Sequence, residues 1–224
     1  DYPENAVKII PNWYADHGPM SPDRENNPFR QVTKDRFTVS YFGNMGTMQD
    51  MQTILQAVRE LRDEDVFFLF AGHGNKMEAL RDTVQAEGID NIKIYPFLHG
   101  QDFQNALAIS DCALVTLVQG ATGLCVPSKT YSYMMEGIPL IAIMDECDIV
   151  NDIRQGAGVH LRNGESARLA QLIRSLQTQP ETVSAMRETC RKLYLEHYTP
   201  EICTEKYVSH FRPLLGDPEK EPKA

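Results

Sequence analysis

The sequence predicts an α/β fold built on a doubly wound parallel sheet. Three observations lead there. From Arg36 onward, short β-rich apolar runs alternate with segments whose apolar residues recur at helical spacing. The run Val66-Phe-Phe-Leu-Phe-Ala71 is apolar at every position, as a strand covered by helices on both faces must be. Finally, the glycine-bearing loops 43–46, 72–74 and 120–123 each follow a strand, at the sheet end where such folds collect ligands.

Taken in order, Val7-Lys-Ile-Ile10 is a short β-like run closed by Pro11-Asn12. The polar stretch that follows, with Pro19, Pro22, Pro28 and the pair Asn26-Asn27, contains little that could pack and reads as a linker, so 1–35 stands apart from the rest. Strands are expected at 37–42, 66–71, 91–95, 112–118, 140–144 and 158–161. The intervening helices fall at 48–61, 76–87, 101–108, 128–136 and 147–155. Leu169, Leu172, Ile173 and Leu176 mark a further helix, Val183, Met186, Cys190 and Leu193 another, and Pro200–Phe211 the last. The apolar stripes at 48–58 and 183–193 are core by their period. The main domain is expected over 36–212, and the tail 213–224, charged from Gly216 on, is expected to be disordered.

Composition narrows the function. The chain has 224 residues, no apolar run near the ~18 needed to span a membrane, and 22 basic against 31 acidic residues, net −9. Such a chain is a poor general binder of nucleic acid or anionic lipid, so any phosphate must be held by a local site. The five cysteines (Cys112, Cys125, Cys147, Cys190, Cys203) form no metal-like pair, and an odd, scattered set points to a reducing compartment. The opening residues Asp1–Asn5 resemble no signal peptide and lack an initiator Met, which suggests a fragment.

The chain is organised around 117–140. The run Ala113–Val118 feeds a two-glycine loop that ends at Pro127-Ser128, where a helix begins. Ser128 suits an N-cap, Gly137 the position just past the helix end, and Pro139 forbids continuation. Free N–H groups at such a helix start favour an anion. Lys129 opposes the helix dipole there, so it either serves a ligand such as a phosphate or is simply an exposed lysine. Gly43-Asn44-Met45-Gly46 brings backbone close to the sheet end but is neither a dinucleotide fingerprint nor a Walker loop. His73, between two glycines, could touch a ligand or stand in solvent. Asp111 reads as a turn or cap residue and Glu136 as a solvated helix end. No zinc spacing and no nucleophile with an adjacent base is seen.

The ordered set Tyr41–Gly46, Phe68–Gly74, Asn91–Pro96, Ile109–Val115 and Val126–Met134 resembles the C-terminal half of a group 1 glycosyltransferase of GT-B fold, in the Pro-Ser-Lys form of the branch that builds bacterial surface polysaccharides. The resemblance spans about 36–212 and implies a Rossmann-like domain that binds a UDP- or GDP-sugar. Ile10-Pro-Asn12 then resembles the end of the preceding acceptor-binding half. It further implies that Gly43, Asn44 and Gly46 approach the donor diphosphate, and that Phe97 and Leu98 lie beside the base. The 120–123 loop, with Thr122 and Gly123, would face the sugar. Ser128, Lys129 and Thr130 would receive the diphosphate, with Lys129 stabilising its departure, and Ser132 would meet the ribose. No metal or other cofactor is implied, the nucleotide-sugar being a co-substrate. The reaction would be hexosyl transfer to a saccharide or lipid-linked acceptor with retention. The setting would be the cytoplasm, with any contact to the inner face of the plasma membrane made by the other half.

Three departures from the family pattern stand out. Two glutamates common in the family are replaced by Leu124 and Ser132. The Arg and Lys that often follow the first glycine loop are replaced by Thr47–Asp50, leaving Lys129 as the evident cation. The acceptor half is missing, so the chain alone should bind donor and transfer little. Two alternatives remain: a nucleotide-sugar epimerase of the same architecture, which would need cleft carboxylates, and a non-catalytic partner subunit with a degenerate site.

Overall fold

The computed structural model describes residues 7–15 and 25–214. Six parallel strands, β1 (Phe37–Asn44), β2 (Val66–His73), β3 (Ile92–Pro96), β4 (Cys112–Thr116), β5 (Leu140–Ile143) and β6 (Gly158–Leu161), form one sheet in the order β3-β2-β1-β4-β5-β6. The chain order reverses between β1 and β4, the switch point at which a doubly wound sheet opens a crevice. Around the sheet lie α1 (Arg30–Thr33), α2 (Met51–Glu60), α3 (Met77–Ala86), α4 (Gly100–Ala108), α5 (Lys129–Met135), α6 (Asp148–Asp152), α7 (Ser166–Gln177), α8 (Pro180–His197) and α9 (Pro200–Phe211).

Two cores result. On one face Ile54, Ala57 and Val58 of α2 and Leu169 and Ile173 of α7 cover Val39, Phe68 and Phe70. On the other, α4, α5, α6 and α8 cover Phe42, Leu69, Val115 and Ala142. The strands β2, β4 and β5 are almost wholly buried, in line with their apolar sequence, and the centre of β1 is buried together with its Thr38 and Ser40.

Some expectations need correction. Residues 7–15 form no strand, so Val7–Ile10 is not one. The end of the supposed linker packs: Phe29 and Thr33 are buried around α1, and Asn27 donates from Nδ2 to Asn105 O (2.8 Å) while its Oδ1 accepts from Phe29 N (3.0 Å). Pro19 and Pro22 lie outside the described residues. The helix expected from Met48 begins at Met51, because Asp50 caps it, accepting from Thr53 N (3.1 Å). Of the tail, residues 213 and 214 belong to a last helical turn and the rest lies outside the described residues.

The crevice has a specific construction. β1 pairs with β2 along all eight residues, but with β4 only through Val39↔Cys112 and Ser40↔Ala113. Below this short ladder, the Asp111 carboxylate accepts from Thr38 N (2.8 Å), consistent with a turn or cap role. Above it, the phenol of Tyr133 from α5 enters the gap and accepts from Phe42 N at 2.7 Å. Tyr133 is fully buried, so its hydroxyl supplies the partner that a longer β4 would have given. The C-terminus of α5 is fixed by Gly137 at φ +64°, whose N–H donates to Met134 O (3.0 Å) while Ile138 N donates to Tyr133 O (2.8 Å), a Schellman closure.

Tyr133→Phe leaves the Phe42 N–H buried without that partner and should destabilise the fold by about 1–3 kcal/mol in urea unfolding. A loss under about 0.5 kcal/mol would show that the amide finds another acceptor.

Candidate functional site

A cavity of about 450 Å³ opens at the carboxyl ends of β1 and β4, within the ~300–1,000 Å³ range of small-molecule sites. Gly43 and Asn44, Phe97 and Leu98, and Ser128, Lys129 and Ser132 all line it, so residues far apart in sequence are brought together. Gly46, Thr122, Gly123 and Thr130 do not line it. Thr130 is buried, and both its N–H (3.0 Å) and its Oγ1 (2.8 Å) donate to Pro127 O. That bond closes the first turn of α5. Ser128 therefore makes no side-chain cap, and its backbone is already helical at φ −58°, ψ −21°. In the 120–123 loop, Gly120 N–H donates to Asp145 Oδ2 (2.6 Å) and Ala121 N–H to Val118 O, so neither faces a ligand. Leu124 stands 76% exposed, and the Oγ of Ser132 donates to Lys129 O at 2.8 Å.

Lys129 is the unusual group. Its stem is partly exposed, but its Nζ is buried and has no hydrogen-bond partner. The ammonium lies 3.5 Å from the centroid of the Tyr41 ring. The side chain crosses Gly43, where an added Cβ would meet Lys129 Cε at 3.3 Å; with φ at +123° this position favours glycine on backbone grounds as well. Burial pushes the Lys129 ammonium down to about 7, opposed by the nearby Cys125 side chain. Tyr41 moves the other way, burial raising its phenol well above the ordinary range, so the ring beneath the lysine is neutral.

Loop packing supports this arrangement. Gly46 N–H donates to Gln49 Oε1 (3.0 Å), and a Cβ on Gly74 would lie 2.5 Å from Met45 O, so the loops after β1 and β2 touch. A second cation does stand by the first glycine loop: Lys76 Nζ donates to Gln49 O (2.8 Å) and Thr47 O (3.3 Å). It is thus committed to the loop backbone and does not line the cavity, unlike Lys129. His73 is exposed beside Phe97, their rings 5.7 Å apart, and the His99 ring lies 4.7 Å from Phe97. Among the described residues no cluster of three or more His, Cys, Asp or Glu side chains could hold a metal ion, and no helix is long and apolar enough to cross a membrane.

Sequence reasoning missed Tyr14, Phe42, Phe103 and Cys125, which complete the cavity wall. Tyr14 comes from the segment before α1 and is held by Tyr194, whose hydroxyl donates to Tyr14 O at 2.6 Å. Of these only Phe42 carried a signal, as the last residue of the strand expected at 37–42, at the sheet end where ligands collect.

A crevice at the switch point of a doubly wound sheet, with backbone glycine on one side and a buried lysine on the other, is the arrangement of a Rossmann-like domain, at the place where such folds take their ligands. The family model "Glycosyl transferases group 1" matches residues 23–193, and the chain belongs to that family. A Pseudomonas aeruginosa protein named as glycosyltransferase WbjE is 28% identical over 216 residues, covering 95% of this chain and 54% of the relative. Escherichia coli (strain K12) WcaI, named as a colanic acid biosynthesis glycosyl transferase, is 29% identical over 139 residues, covering 60% of this chain and 34% of its own. The chain therefore spans about half or less of the length of these curated relatives. The crystal structure of Anabaena Alr3699/HepE in complex with UDP and glucose superposes with a TM-score of 0.78 at 15% identity, over 92% of this chain and 57% of that one, which shows the shared GT-B fold.

A buried, unpaired ammonium opposes folding, and its sign with pH is defined. The folded value, about 7, lies below the unfolded value near 10.5. Below about 7 both states are charged and the full penalty is present; between the two values the unfolded state binds more protons, so stability rises with pH by at most about 1.4 kcal/mol per unit. Lys129→Met should therefore be more stable than the parent at neutral pH, with the difference shrinking toward pH 10. Denaturant unfolding across that range checks this, and a variant less stable than the parent at neutral pH would contradict it.

Proposed function

We propose that this chain is the nucleotide-sugar-binding half of a glycosyltransferase that transfers a hexosyl group from a UDP- or GDP-sugar to a saccharide or lipid-linked acceptor in polysaccharide biosynthesis, with retention. The observation that carries the reading is the Lys129 ammonium, buried without a hydrogen-bond partner in the wall of the crevice. A charge held so strongly against its own solvation is best accounted for by an anion that arrives from outside. The titles of the HepE structures, with UDP and with UDP-glucose, and the name of WcaI support the choice of ligand and pathway class.

In this reading the diphosphate lies between the Gly43–Asn44 backbone and Lys129, and the base lies toward Phe97 and Leu98. As the sugar–phosphate bond breaks, negative charge grows on the departing diphosphate. Lys129 offsets it from an apolar wall, where a fixed charge acts more strongly than in water. The role often given to a metal falls to this side chain, so none is invoked. Ser132 offers a neutral hydroxyl where the family often has a carboxylate, a weaker ribose contact. The acceptor is bound by the half of the protein beyond this chain, which makes any membrane contact. Five free cysteines accord with a cytoplasmic site of action.

Calorimetry with UDP, GDP and ADP tests the reading. One nucleotide should bind at micromolar to low-millimolar Kd, and Lys129→Ala should weaken it about 10–100-fold, the loss of a charge-assisted contact. Binding requires the protonated lysine, so affinity should fall as pH rises above about 7, by at most roughly tenfold per unit, with proton uptake measured in buffers of different ionisation enthalpy. Full-length protein that binds none of the three would sink the donor reading and favour a non-catalytic partner.

A further inference from the structure

Cys112, Cys190 and Cys203 are buried, and the half-buried Cys147 lies with its Sγ 3.8 Å from Met144 Sδ, outside the cavity wall. Cys125 differs. It is half-buried, lines the cavity, and sits between Leu124 and Val126, which are 76% and 62% exposed, so the thiol is carried on a loop that stands in solvent. It is also within electrostatic reach of both the Lys129 ammonium and the Tyr41 phenol. The cavity wall thus holds a soft nucleophile, packed against the core but only half-buried, and a buried cation whose Nζ has no hydrogen-bond partner. The first can form a bond, and the second selects what comes near by charge.

We propose that Cys125 is a covalent modification site inside the cavity, selective for small anionic electrophiles, and that its modification and donor binding exclude one another. The exclusion rests on the proposed function; the modification site does not. Iodoacetate is the probe. The Cys125 thiolate attacks the methylene carbon, the C–I bond breaks with its electron pair leaving as iodide, and the thiol proton passes to buffer. The product, an S-carboxymethyl group, places a carboxylate in the cavity within reach of Lys129, where the donor diphosphate would otherwise lie.

The full chain is treated just below neutral pH with iodoacetate or with neutral iodoacetamide, with and without UDP or GDP in separate runs, and the label on each cysteine is quantified by peptide mass spectrometry. Cys147 serves as the internal reference. The Cys125-to-Cys147 labelling ratio should be roughly tenfold higher with iodoacetate than with iodoacetamide, the effect of one partly screened charge nearby. That excess should disappear in Lys129→Met and in Lys129→Gln, each checked for native circular dichroism, and whichever of UDP and GDP binds should suppress labelling of Cys125 alone. Equal ratios for the two reagents, or an excess that survives both Lys129 variants, overturn the proposal. A Lys129-dependent excess that a bound nucleotide leaves untouched supports the modification site and overturns the exclusion alone; failure of the full-length protein to bind either nucleotide overturns the donor reading and the exclusion with it.

Discussion

The phenol of Tyr133 holds open the place where the sheet changes direction. A continued β4 could meet the Phe42 amide only by closing the crevice, so the hydroxyl satisfies the amide in a way that leaves the crevice open. A side chain in place of a strand keeps β1 and β4 apart beyond Ser40 and Ala113 and still satisfies the buried amide. Tyr133 also lies one helical turn from Lys129 on α5, so the residue that spaces the strands and the residue that charges the gap share one rigid element. The position of the cation in the crevice follows from the position of the wedge.

The resulting site is poised rather than neutral. Lys129 rests on the Tyr41 face and crosses Gly43, but neither gives its ammonium a hydrogen-bond partner. Lys76 shows the contrast within the same chain: the same side chain, a few residues from the same loop, is tied down by two carbonyls and stiffens the backbone. One lysine is structural because its acceptors are built in; the other has them left out. Folds give up stability at such positions where binding needs it.

Much of this was legible in the sequence, for local reasons. The unbroken apolar run 66–71, the glycines after strands and the Gly137–Pro139 stop each depend on a few neighbouring residues, and all six strands were placed from such cues. Gly43, Asn44, Phe97, Ser128 and Lys129 line one cavity because a parallel sheet brings its strand ends to one edge. What could not be read depends on distant pairs. Tyr133 and Phe42 are 91 residues apart, and Tyr14 reaches its cavity through a bond to Tyr194 across 180 residues. Ser128 looked like a cap, but Thr130, also a short hydroxyl residue, closes the turn instead. Asn27 and Phe29 sit among polar residues and prolines, where composition hides the one buried aromatic that anchors them.

The burial of α5 has a further consequence. From Thr130 to Met135 every residue is buried, with Arg191 of α8 donating to Met135 O (2.7 Å) on one side and the sheet on the other. Packing alone therefore constrains most of the motif from Pro127 to Pro139. A descendant that had lost the ligand would still carry the tyrosine, the glycine and the prolines. Packing accounts for the motif as a whole; the position it does not account for is the lysine, which the core would be better off without.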